Sequence, residues 1–168
     1  MATDVRSREV QRAICVLAAI SLVRCGVVLG SEVHLIPEGH TGPVVVLFDD
    51  PLGDEVRLDE EGAFVYQIRA DGVLRVKNSP PRAGFYRKHF YFEAPDGTRT
   101  EIPHRVDEPV VQVFADVQGV TEVLDGQPTG SRRWAAYVVG LPTARADWAQ
   151  LRDQAAERVI RGVREREP

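Results

Sequence analysis

A chain of 168 residues with 43% hydrophobic and 27% charged side chains has the length and balance of one globular domain with its own core. That excludes a disordered chain and a domain that needs disulfide staples. Its formal net charge of −4 gives no electrostatic attraction to nucleic acid, so that class of partner is set aside. Both cysteines, Cys15 and Cys25, lie in an N-terminal apolar stretch, so the globular part lacks a thiol for a disulfide framework, a cysteine-ligated zinc or a cysteine nucleophile.

Residues 1–30 read as a signal peptide or membrane anchor, and 31–168 as a single domain. Arg6, Arg8 and Arg12 outweigh Asp4 and Glu9 ahead of Ala13–Val23, an eleven-residue run in which only Ser21 is polar. A basic start and a 7–15-residue apolar run make the pattern of a secretory signal, too short to span a bilayer. Leu22-Val-Arg-Cys25-Gly26 resembles a bacterial lipobox, in which the cysteine is lipidated and becomes the first mature residue; the position before the cysteine, small in that motif, is Arg24 here. Lipidation of Cys25, ordinary signal cleavage, an uncleaved anchor and the first helix of a soluble protein all remain open.

From Glu32 the chain reads as strands and turns. Val33–Ile36 is β-prone, and Pro37-Glu38-Gly39 with Gly42-Pro43 forms a turn between it and the next strand, with Pro37 suited to the second turn position. Val44–Phe48 is five apolar residues in a row, the mark of a strand buried on both sides or central in a sheet. Asp49 to Gly62 reads as an exposed acidic loop with a short strand at Val56–Leu58. Ala63–Ile68 and Val73–Val76 flank the Asp71-Gly72 turn and predict a hairpin. Along 85–93, Tyr86, Lys88, Phe90 and Phe92 share one face, and Phe85, Arg87, His89 and Tyr91 the other. Pro95-Asp-Gly97 turns the chain into Thr98–Ile102. Val110–Val117 and Trp134–Val139 are later strands, with Gly119 a predicted break. Thr143 is placed to cap a helix over 143–164, whose Trp148, Leu151, Ala155, Val159 and Val163 form one apolar stripe.

Ile36-Pro-Glu-Gly39, with Gly42-Pro-Val-Val-Val46, Tyr66-Gln-Ile68 and Asp71-Gly-Val-Leu74, resembles a bacterial family of exported, lipoprotein-like proteins of unknown function. The resemblance spans roughly Cys25 to Pro103 and implies no catalytic residue. More loosely, the order of acidic loop, Gly62 and Phe64-Val-Tyr66 is similar to the transthyretin-like β-sandwich of carboxypeptidase regulatory domains, a likeness of fold alone.

No nucleophile elbow, phosphate loop, dinucleotide fingerprint or zinc helix occurs. His34, His40, His89 and His104 are scattered singly and read as solvent-facing or hydrogen-bonded rather than as metal ligands. Asp49, Asp50, Asp54, Glu55, Asp59, Glu60 and Glu61 lack the order of a calcium loop and read as solvated. Alternate residues of the aromatic stretch 85–92, and Trp134 and Trp148, read as core. The fold expected is a mainly β, antiparallel sandwich of seven to nine strands with a hydrophobic N-terminal helix and one C-terminal helix. The functional expectation is a non-catalytic, cofactor-free envelope lipoprotein or binding module at the periplasmic face of a membrane or secreted. It would be held by its N-terminal segment or a lipid on Cys25, and partnered by another envelope protein. A hydrolase-like enzyme without a known motif, or a structural part of an envelope assembly, are the competing readings.

Overall fold

The computed structural model describes residues 30–81, 86–122 and 131–164; the predicted N-terminal helix and Cys25 lie outside them. Among the described residues nine strands stand in chain order: β1 (Gly30–Pro37), β2 (Gly42–Leu47), β3 (Arg57–Leu58), β4 (Phe64–Gln67), β5 (Val73–Arg75), β6 (Tyr86–Glu93), β7 (Arg99–Glu101), β8 (Gln112–Glu122) and β9 (Ser131–Gly140). A helix, α1 (Trp148–Arg164), follows. Two sheets face each other, one ordered β3-β4-β1-β6-β7 and the other β5-β2-β9-β8.

The expected antiparallel arrangement is corrected by the pairing. β1 runs parallel to both β4 and β6, and β2 parallel to β5, while the remaining pairs are antiparallel. The cause is the path of the chain. It changes sheet after β1, β2, β4, β5 and β7, so β1 meets β4 and β6, and β2 meets β5, only after the chain has passed through the facing sheet, and these paired strands start from the same end. The expected hairpin around Asp71-Gly72 is overturned for the same reason: β4 and β5 lie in different sheets. The hairpin at Pro95-Asp-Gly97 is present, with β6 and β7 antiparallel.

Alternation sets the core. Val44 and Val46 point between the sheets with Ile36, Tyr66, Phe90, Val113 and Tyr137, whereas Val45 points the other way and meets Ala136, Ala156, Trp134 and Val159 under the helix. The second sheet is thus covered on both faces, and this is why β2 is apolar without interruption. Tyr86, Lys88, Phe90 and Phe92 share one face of β6 as expected, and that face is the inward one; Phe85 lies outside the described residues. Gly119 does not end β8, which runs on to Glu122. It lies opposite Trp134, and a Cβ there would overlap the indole.

The helix starts at Trp148, not at Thr143, which lies in a 3-10 turn over Pro142–Ala144. Trp148 is buried, donates its indole N–H to the Leu141 carbonyl (3.1 Å) and stands edge-on to Phe114. Ala156 is buried as well, with the expected Ala155 and Val159 half-buried beside it.

The Pro37 turn also shifts by one position. The amide of His40 donates to the Pro37 carbonyl at 3.0 Å, making Pro37 the first residue of the turn, Glu38 the second and Gly39 the third. Gly39 has φ +76°, the left-handed value that a type II turn requires there. The turn carries the chain from one sheet to the other.

Candidate functional site

Along β1 the side chains of Glu32, His34 and Ile36 point between the sheets. Register sets Glu32 beside Phe64 and Lys88, and His34 beside Tyr66 and Phe90. His34 is therefore enclosed by rings: Tyr66 and Phe90 each at 4.9 Å between centroids, and Tyr137 edge-on from the facing sheet at 5.4 Å. Its Nδ1 lies 3.1 Å from the Tyr137 hydroxyl and its Nε2 3.4 Å from Glu32 Oε2.

Burial pushes the His34 pKa down, outweighing the hydrogen bond and charge of Glu32 that act against it. The imidazole is therefore neutral at neutral pH and holds one N–H. Burial pushes Tyr137 well above the ordinary phenol range, so its O–H stays protonated. The arrangement that satisfies both has Tyr137 donating to Nδ1 and Nε2–H donating to Glu32. Donors and acceptors are then paired across the core.

Beyond Phe90 lies a second set of polar groups. The His104 ring is 5.1 Å from Phe90, and its Nε2 is 3.7 Å from Asp116 Oδ1. A bulge in β8 between Phe114 and Val117, with Ala115 at φ +53°, aims Asp116. Arg105 donates to the same carboxylate. Partial burial raises the Asp116 pKa, but the Arg105 hydrogen bond and charge, with Lys88 and His104, overcome it and leave it below the ordinary range. Burial lowers His104 against the pull of Asp116. Lys88, His104 and Asp116 are half-buried, while His34 and Tyr137 are 3% and 2% exposed.

The acidic loop divides. Asp54, Glu55 and 59–61 are exposed as expected, but the expectation fails at Asp50, which is 1% exposed and ion-paired to Arg75. Asp49 holds Arg133 through two hydrogen bonds of 2.9 and 3.2 Å and accepts from Ser79 at 2.6 Å. Partial burial raises its pKa, yet these bonds and the charges of Arg133 and Arg132 leave it lowered. Among the described residues no three His, Cys, Asp or Glu side chains gather as a metal site would require.

Of the residues singled out in the sequence, Glu38 and Gly39 are exposed at the turn, and Gly42, at φ +134°, opens β2. His34 and His40 do not come together: one is in the core and the other at the turn. Tyr137, Asp116 and Arg105 were missed. Glu32-x-His34-x-Ile36 carried the available signal, two polar side chains on the same strand face as a core isoleucine.

A family profile matches residues 30–133, from the first residue of β1 into β9. The chain belongs to this family, a family of unknown function (DUF6843). The matched span holds the Ile36–Gly39 turn, Glu32 and His34; Tyr137 and α1 follow it. The fold is similar to a crystal structure of a candidate lipoprotein from Bacillus anthracis, with a TM-score of 0.57 and 16% identity over 80% of this chain and 94% of that one. No curated protein matches.

Proposed function

We propose that this family member is a lipid-tethered, non-catalytic binding module of the cell envelope. The observation that carries the reading is a spacing: Cys25 stands five residues before Gly30, where both the first strand and the family match begin. A lipid on Cys25 would hold the sandwich by the start of β1 with almost no linker. The name of the similarly folded Bacillus protein agrees with such a tether.

Strand directions then orient the domain. β1 leads away from the tether for about 23 Å at ~3.3 Å per residue, so the Pro37 turn lies at the far end. Leu52, Leu58 and Val120, at 74%, 59% and 63% exposure, belong to the Gly30 end, where they would rest on lipid. The carboxylates of 59–61 at that same end give no attraction to anionic headgroups, so the lipid must supply the anchoring. The absence of catalysis is supported by the enclosure of His34 and Tyr137, whose hydrogen bonds join the two sheets where no substrate reaches.

In a detergent phase-partition experiment the full chain should enter the detergent phase with the mass of acyl chains on Cys25. Cys25→Ser should move to the aqueous phase and lose that mass. Unchanged partitioning of the variant would overturn the lipid tether and leave an uncleaved anchor in its place.

A further inference from the structure

Six large hydrophobic side chains are exposed among the described residues, and the three away from the tether fall in one loop: Val106 (37%), Val110 (37%) and Val111 (45%). The loop leads into β8, whose first residue, Gln112, pairs with Gly140. Gly42 pairs with Val139, so the loop stands at the end of the sandwich that bears the Pro37 turn.

This loop is held in place by bonds of its own. Gln112 is 2% exposed. Its Oε1 accepts the Val106 N–H at 2.9 Å, and its Nε2 donates to the carbonyls of Val106 (2.9 Å) and Glu108 (3.1 Å). The Val110 amide bonds back to the Glu108 carbonyl at 2.9 Å across Pro109, and the Arg105 amide is fixed to the Val113 carbonyl at 3.0 Å. A buried glutamine and a proline thus fix a short segment whose apolar side chains face water. A core needs no such arrangement; a recognition surface gains from it, because a preorganised loop loses little entropy on binding.

We infer that the 106–111 loop is the docking surface for a basic protein segment that brings an apolar side chain onto the valines. The inference rests on the binding-module reading and names the partner's chemistry. Charge selects the occupant. Asp107 and Glu108 are exposed and have no ion-pair partner among the described residues, whereas the cation beside them, Arg105, is taken by Asp116. Glu38 at the same end is likewise exposed, with no ion pair among the described residues. A second copy docking by the same loop would set these carboxylates against each other, since a two-fold contact brings like to like.

The test uses the full chain in non-ionic detergent and an eight-residue alternating Lys-Val peptide as probe, with an eight-residue polylysine as control. The Lys-Val peptide should bind at low salt, weaken as salt rises, and bind at least tenfold tighter than polylysine. Val110→Asp should reduce that binding at least tenfold with an unchanged melting temperature, and Val120→Asp should not affect it. Equal binding of the two peptides, no binding of either, or full binding by Val110→Asp overturns the proposal. A dimer in sedimentation that Val110→Asp dissolves also overturns it, in favour of a second copy. These outcomes are independent of the tether, since Cys25→Ser in the same detergent should bind the peptide unchanged.

Discussion

At the scale of single residues, His34 couples stability to pH. Its folded-state pKa lies below the ordinary 6.5, so the unfolded chain takes up a proton first as pH falls, and stability is lost from about pH 6.5 downward. His104 acts in the same direction. Asp49 and Asp116, held below 3.8, add a separate loss below that pH. The melting temperature should therefore fall between pH 7 and pH 5. His34→Gln, which gains no proton, should flatten most of that decline while costing about 1–3 kcal/mol at pH 7 from the disrupted Tyr137 and Glu32 bonds. An undiminished decline in the variant would locate the effect elsewhere. At the turn, Gly39→Ala should cost about 1 kcal/mol through its positive φ alone, since nothing lies within 4 Å of the added Cβ. Glu38→Ala should leave the melt unchanged. The glycine's role was legible because it is local. The fate of Asp50 was not: its partner Arg75 lies 25 residues on, and Arg133, the partner of Asp49, 84. In sequence both aspartates look like the solvated acids that follow them.

Among the elements, those defined by their own periodicity were legible. The five apolar residues of 44–48 give a strand covered on both faces, and the 3.6-residue stripe gives a helix on the sheet. Trp148→Ala should therefore cost about 3–5 kcal/mol, measured by denaturant unfolding; a loss well below 1 kcal/mol would mean that α1 does not hold the sheet. Elements defined by their partners were not legible. Asp71-Gly72 looks like a hairpin turn, and its local hydrogen bonds are turn-like, with Gly72 N–H to the Arg69 carbonyl at 2.9 Å. Yet Ile68 bonds to Leu35 in one sheet and Val45 to Gly72 in the other, so the turn separates the sheets. Nothing in the turn's own residues records which strand waits on either side. The same holds for Asp116, whose position depends on a bulge that no turn residue announces.

For the whole molecule, alternation of apolar residues foretold two facing sheets, but not their order or their parallel pairs, which follow from where the chain crosses between layers. That crossing gives the molecule its two ends. The Gly30 end carries Leu52, Leu58 and Val120, and the far end carries the Pro37 turn and the pinned valines. In the function proposed above, the first end meets the membrane and the second faces away. This orientation is tested by attaching a fluorophore at Leu58→Cys or at Val110→Cys of the tethered chain in phosphatidylcholine vesicles and measuring quenching by nitroxide-labelled lipid. Quenching should be strong at position 58 and absent at position 110; equal quenching at the two positions, or the reverse, would overturn the proposed orientation.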